Sequence, residues 1–62
     1  MLSQREQQVA ALVCEGLSTK MIAQKLNVSE GTIKCHLHAI YIKLSVQSRL
    51  ALLVALGRTR SD

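Results

Sequence analysis

The chain has 62 residues, and eight Lys and Arg against four Asp and Glu give it a formal net charge of +4. A chain of this length forms one small domain, whose hydrophobic core is marginal without a partner. Hydrophobic residues make up 48% of the sequence, but there is no Pro and Tyr41 is the one aromatic residue. This composition favours an all-α domain with an aliphatic core over a β-sheet protein. The longest apolar run, Leu50–Leu56, is too short to cross a membrane, and we expect neither a signal peptide nor membrane binding.

The first helix is marked by its capping residues. Ser3 and Glu6 have the spacing of a capping box, in which the hydroxyl accepts from the Glu6 amide and the carboxylate reaches back. Apolar residues then recur at helical spacing as far as Leu17, and Gly16 suits a left-handed helix end. The sequence therefore predicts a helix over residues 3–15.

Two further helices are predicted on either side of a tight break. Ser18 or Thr19 caps the second helix, and Ser29 caps the third. Asn27 stands between them, and Asn is the non-glycine residue best able to take the left-handed conformation of a sharp helix end. The predicted ranges are 18–26 and 29–44. This arrangement is typical of a helix-turn-helix, whose second helix lies in the DNA major groove.

The third helix separates into two faces when its residues are placed about 100° apart. The predicted buried stripe consists of Ile33, Leu37, Ile40 and Leu44. Cys35, His38 and Ile42 lie opposite that stripe, and Lys34 lies at the edge of this outward face. His36 flanks the stripe, which favours a hydrogen-bonded structural role for it over contact with a base.

The outward residues of the third helix suit DNA. Lys34 can donate to guanine O6 and N7 or to a phosphate, and His38 can donate to or accept from a base edge. Cys35 is small enough to contact a thymine methyl group. We predict that these three residues contact bases. The predicted phosphate contacts are Thr19, Lys20, Ser29, Thr32, Lys43 and Arg49, which offer hydroxyls, cations and helix N-terminal amides.

A fourth helix, predicted over residues 47–57, is apolar almost all the way round. Leu52, Leu53 and Leu56 form one side. The other side consists of Leu50, Ala51, Val54 and Ala55. A surface helix of a monomer needs one apolar face, so the second face favours pairing with another copy of the chain. Contact with another domain and ordinary exposed surface are the alternatives.

Four motifs, which together cover residues 2–49, resemble the LuxR/FixJ-type (GerE-like) DNA-binding domain of bacterial transcription regulators. They read LSQRE, EGLSTKMIAQKL, VSEGTIKCHL and KLSVQSR. The resemblance implies a four-helix tetrahelical domain over residues 1–62 that binds double-stranded DNA as a homodimer paired through helix 4. It implies base contacts at Lys34, Cys35 and His38, and a bracing role for Glu6. Two residues depart from the pattern: Ser45 replaces the usual Gly, and Ala51 replaces a usual polar residue.

The resemblance also implies a setting for the domain. Relatives of this kind carry a receiver or ligand-binding domain on the N-terminal side, so we expect a C-terminal effector domain of a cytoplasmic response regulator in a two-component system. RNA polymerase is a further expected partner. A module that docks with the polymerase as sigma region 4 does, and a purely structural helical dimer, are the alternative functions.

Enzymatic and metal-binding functions are disfavoured. The chain shows no paired carboxylates and no ordered nucleophile and base. Cys35 and His38 lack a second pair of ligands at zinc-finger spacing, so no metal and no cofactor are expected. Cys14 and Cys35 are expected to be reduced thiols in preference to a disulfide.

Overall fold

The computed structural model describes residues 2–57, so Met1 and residues 58–62 of the predicted domain lie outside the described residues. Four helices follow one another in this part of the chain: α1 (Gln4–Cys14), α2 (Thr19–Leu26), α3 (Glu30–Leu44) and α4 (Arg49–Ala55). Residues 2–57 contain no strand. The all-α fold predicted from the sequence is confirmed, with helix ends that lie within two residues of the predicted ones.

A serine precedes each helix and caps it. Ser3 Oγ accepts from the Glu6 amide at 3.2 Å, while the Ser3 amide donates to Glu6 Oε1 at 2.8 Å, which confirms the capping box. Ser18, Ser29 and Ser48 also have extended backbones, and each hydroxyl accepts from the amide three residues later. These bonds satisfy amide groups that a helix N-terminus otherwise leaves without a partner.

Left-handed residues end α2 and α3. Asn27 has φ 59° and ψ 46°, as predicted for the break between the two helices. Ser45, where the resembling family has Gly, takes nearly the same conformation with φ 57° and ψ 42°. In each turn the next amide returns to the helix, from Val28 to the Ala23 carbonyl at 3.0 Å and from Val46 to the Tyr41 carbonyl at 2.9 Å. The bonds from Val28 and Val46 close the helix ends sharply.

The core is aliphatic and surrounds the inner face of α3. Its fully buried larger side chains are Val9, Val13, Ile22, Ile33, Ile40 and Leu52. Leu37 is also buried and Leu44 is partly buried, so the stripe predicted on α3 is confirmed. From α4, Leu52 enters the core and Leu53 packs against it in part, whereas Leu56 is 37% exposed at the end of the helix.

No single helix within residues 2–57 is long and apolar enough to cross a membrane. Together α3 and α4 have the length and apolar composition of a span, but the two helices are bent by 54° relative to each other.

Candidate nucleic-acid interface

The outer face of α3, defined as Lys34, Cys35 and His38, is exposed to solvent. On the opposite side of the same helix Ile33 and Ile40 are 0% exposed, so burial fixes which side chains point outward. The structure therefore brings together the three residues predicted to contact bases. Ile42, which the helical spacing also places outward, is 64% exposed.

His36 differs from the other histidine of α3. It is half-buried, as its position beside the buried stripe predicts, whereas His38 is exposed. Within residues 2–57 no hydrogen bond joins the His36 side chain to another residue, so its hydrogen-bonded role stays a prediction. Its half-burial still separates it from the outer face.

Two hydroxyl groups meet at the N-terminus of α3. Ser29 Oγ accepts from the Thr32 amide at 3.1 Å and lies 2.9 Å from Thr32 Oγ1. Both residues are exposed, and Glu30 lies in the same first turn. The Glu30 carboxylate is favourable beside the positive end of the helix dipole. It is also a like charge for any phosphate that approaches Ser29 and Thr32.

Lys43, one of the predicted phosphate contacts, forms an ion pair inside the domain. Its Nζ donates to Glu6 Oε1 at 2.8 Å, across 37 residues of sequence. The Lys43 hydrogen bond lowers the pKa of Glu6 below its ordinary value of 4.5, and the Ser3 amide lowers it further. Glu6 is 7% exposed. Because its carboxylate accepts from both Ser3 and Lys43, it connects the start of α1 to the end of α3. This contact agrees with the bracing role implied for Glu6.

Arg49, another predicted phosphate contact, is also bonded within the domain. Its guanidinium donates through Nη2 to the backbone carbonyl of Leu17, in the loop between α1 and α2. Arg49 is half-buried at the first position of α4. Two further predicted phosphate contacts lie at the start of α2: Lys20 is exposed and Thr19 is half-buried.

The second apolar face of α4 is uncovered in the monomer. Leu50 is 66% exposed and Val54 is 58% exposed. Ala55 beside them is exposed, and Ala51 is half-buried. These are the four residues predicted to form a dimer interface, and three of them are exposed.

The cysteines and histidines do not assemble into a metal site within residues 2–57. Cys35 is exposed on the outer face of α3, and Cys14 is half-buried at the end of α1. Neither cysteine is in a disulfide. The candidate site is therefore a surface made of side chains and helix ends.

Two helices joined by a left-handed Asn turn, the second with one buried and one exposed polar face, define a helix-turn-helix domain. Comparison with known protein families agrees with this class. The family model described as "GerE: Bacterial regulatory proteins, luxR family" matches residues 1–56. The chain therefore belongs to the luxR family of bacterial regulatory proteins.

Individual relatives extend the comparison. The nitrate/nitrite response regulator protein NarP of Escherichia coli is 46% identical over 50 residues, which are 81% of this chain and 23% of NarP. The HTH-type transcriptional regulator MalT of Vibrio campbellii is 46% identical over 48 residues, 77% of this chain and 5% of MalT. The putative HTH-type transcriptional regulator Rv0890c of Mycobacterium tuberculosis is 43% identical over 60 residues, 97% of this chain and 7% of that protein.

The chain thus spans less than a quarter of the length of these three relatives. The family to which it belongs is one of DNA-binding domains of transcription regulators, which is not a class of enzyme.

Proposed function

We propose that the domain binds specific sequences of double-stranded DNA by inserting α3 into the major groove, and that it does so as a homodimer paired through α4. The exposed outer face of α3 carries this proposal. Lys34, Cys35 and His38 lie on the solvent side of a helix whose other side is fixed in the core. A recognition helix presents its N-terminal side chains to base edges in this way.

Each residue of the outer face has a proposed role in reading bases. Lys34 donates to guanine O6 and N7, and His38 exchanges a hydrogen bond with a neighbouring base edge. Cys35 contacts a thymine methyl group, since its side chain is small and weakly polar.

Phosphate contacts set the position of the domain on the duplex without reading sequence. We assign them first to Lys20 and to Thr19 at the start of α2, and to Ser29 and Thr32 at the start of α3. Lys20, Ser29 and Thr32 are exposed, and the amides of a helix N-terminus favour an anion. The phosphate has to avoid Glu30 in the first turn of α3.

The uncovered face of α4 supports the dimer. Leu50 and Val54 are both more than half exposed, and an exposed apolar patch on a small domain is typical of a protein contact. A two-fold dimer would pair this face with itself and present two α3 helices to half-sites about one helical turn apart.

The setting is proposed by analogy with the relatives. NarP is named a response regulator, and we propose that the present domain is the DNA-binding part of such a regulator, controlled by an N-terminal receiver or ligand-binding domain. It would act in the bacterial cytoplasm, where the chromosome lies, with RNA polymerase as a further partner.

Titration with free duplexes tests the proposal. The wild-type protein first selects sequences from a random duplex pool. The affinity of the Lys34→Ala variant for those sequences is then measured at several salt concentrations and compared with that of the wild-type protein. The substitution should cost about 1–3 kcal/mol and relax the preference at one base pair. An unchanged sequence preference would rule out base reading by Lys34.

Arg5→Ala is the matched control because it removes the same charge from another part of the surface. Arg5 is exposed and lies next to Glu6, whose carboxylate contacts Lys43. Lys43 in turn lies nine residues beyond Lys34 on α3. That separation is about 14 Å along α3. Wild-type protein should also bind paired half-sites more tightly than single ones. Binding to duplex only in the presence of RNA polymerase would favour the sigma-like alternative. Salt-insensitive mobility on DNA together with clean dimerisation would favour the purely structural dimer.

A further inference from the structure

Arg49 connects α4 to a part of the domain that is distant in sequence. We propose that Arg49 is a positioning residue that fixes the direction of α4 relative to α3, and thereby sets the spacing between the two half-sites that a dimer recognises. The inference rests on the proposed dimer through α4. It assigns Arg49 a role other than contact with phosphate.

The contact itself supports this role. The Arg49 guanidinium donates to the Leu17 carbonyl, 32 residues earlier in the chain, and the contact is partly buried. A charged donor makes a stronger hydrogen bond than a neutral one, and the planar guanidinium loses little freedom when it forms the bond. The first turn of α4 is therefore tied to the loop between α1 and α2.

The connection between α3 and α4 leaves the direction of α4 to such contacts. The Ser45 and Val46 amides return to α3 carbonyls at 3.2 and 2.9 Å, and this closes the end of α3. Ser48 Oγ accepts from the Ala51 amide within α4 itself. None of these three bonds joins α4 to another helix, although α4 leaves α3 at a bend of 54°.

Two points of attachment then define the axis of α4. Leu52 is the residue of α4 that is completely buried and Leu53 beside it packs against the core in part, so these neighbours hold the middle of the helix at one place. Arg49 lies three residues earlier, which is nearly the same side of a helix, and supplies the second place. Without the Arg49 bond, the first turn of α4 loses its tie to the loop, and α4 can tilt about Leu52 and Leu53, so that the exposed Leu50 and Val54 move with it.

The two-fold symmetry of a dimer would enlarge the effect of a change in the direction of α4. In a two-fold dimer each subunit presents α3 through the same corner, so a change in the angle between α3 and α4 acts twice on the separation of the two α3 helices. Half-sites lie about 34 Å apart along the duplex, and one base pair adds about 3.4 Å. Loss of a fixed angle should therefore appear as tolerance of wrong spacings.

The experiment uses the chain of 62 residues with three kinds of duplex: one half-site, two half-sites at the preferred spacing, and two half-sites with one base pair inserted or deleted. The variants are Arg49→Met, which removes charge and hydrogen bond, and Arg49→Gln, which removes the charge but keeps an amide donor. Arg5→Gln is the control for loss of a charge at an exposed position.

We expect Arg49→Gln to have the same salt dependence on a single half-site as Arg5→Gln. A phosphate ligand would instead lower the slope by about 0.9. Arg49→Met should bind the single half-site within about threefold of the wild-type protein, yet lose about fivefold or more of its discrimination between correct and altered spacing. If Arg49→Met does not fold, Arg49→Lys is used instead; its ammonium can still donate to a carbonyl but lacks the planar guanidinium, so a smaller loss of discrimination is expected.

Two results would overturn the inference while leaving the proposed function intact: a salt slope in Arg49→Gln reduced by about one unit relative to Arg5→Gln, or unchanged spacing discrimination in the folded Arg49 variants. A wild-type protein that binds single half-sites but shows no preference for paired ones contradicts the proposed dimer instead, and the spacing role falls with it.

Discussion

The two left-handed turns of the domain have almost the same backbone but are built from different residues. Asn27, between α2 and α3, has φ 59° and ψ 46°, and Ser45, between α3 and α4, has φ 57° and ψ 42°. Asn takes this conformation readily, whereas other residues with a Cβ pay about 1–2 kcal/mol for it. The same geometry is therefore adopted at low cost in the helix-turn-helix and at higher cost beside α4.

Long-range contacts flank the more costly turn. Lys43 pairs with Glu6 two residues before Ser45, and Arg49 bonds to Leu17 four residues after it. Val46 after Ser45 and Val28 after Asn27 both pack against the core in part, so the difference lies in the polar contacts. Among residues 2–57 no ion pair lies next to Asn27. The comparison indicates that tertiary contacts hold the Ser45 turn, while the Asn27 turn depends more on its own residue.

A β-branched residue at each turn gives the largest expected effect. Asn27→Val should lower the free energy of unfolding by about 2 kcal/mol, because a β-branched side chain is poorly tolerated at positive φ. Ser45→Val should lower the free energy of unfolding by about 1 kcal/mol, since Ser45 in the wild-type protein already has part of the strain of a positive φ. Urea denaturation followed by circular dichroism measures both. Equal losses at the two positions would contradict the comparison.

Glycine at the same two positions should act in the opposite direction. Ser45→Gly should raise the free energy of unfolding by about 1 kcal/mol, because Gly adopts the left-handed conformation without steric cost. Asn27→Gly should change it by less than about 0.5 kcal/mol. Ser29→Gly serves as a control at a serine with extended backbone, where loss of the cap should cost a few tenths of a kcal/mol. Stabilisation by Ser29→Gly as well would point to a general effect of removing serine.

The ion pair beside the Ser45 turn should make a smaller, pH-dependent contribution, since partly exposed pairs contribute little. The pKa of Glu6 is lower in the folded domain than its ordinary value of 4.5. Folding is therefore favoured by the charged carboxylate well above pH 4.5, and this contribution is lost as the pH falls through the lowered pKa. The thermal midpoint of Glu6→Gln should lie below that of the wild-type protein near neutral pH, and the difference should shrink in acid.

Glu15→Gln is the control for the pH series because Glu15 is an exposed carboxylate at the end of α1. This substitution also removes one carboxylate but leaves the ion pair of Glu6 with Lys43 in place. A Glu6→Gln difference that stays constant into acid would show that the carboxylate charge contributes nothing through Lys43.

Local sequence signals predicted most of the fold. The cap at Ser3, the break at Asn27 and the faces of α3 each depend on residues within a few positions of one another, so spacing alone defines them. The exposure of Leu50 and Val54 followed from the same argument, because α4 has more apolar residues than one buried face can use.

The partners of Lys43 and Arg49 could not be predicted from spacing. They lie 37 and 32 residues away, and one of them is a backbone carbonyl that any residue at position 17 would provide. The acidic side chain at Glu6 was the one available signal for the Lys43 pair. His36 shows the converse, since its place beside the buried stripe predicted half-burial but not the absence of a hydrogen-bond partner among residues 2–57.

The way α4 joins the core has an evolutionary consequence. Leu52 alone in this helix is fully buried, while Leu50, Val54 and Ala55 face solvent. Substitutions at the exposed positions leave the packing of α1, α2 and α3 unchanged, so they can accumulate without loss of folding. With the roles proposed for α3 and α4, a duplicated gene could thus acquire a new choice of partner on α4 while the outer face of α3 stays unchanged, so that the preferred spacing of half-sites changes and the preferred bases do not.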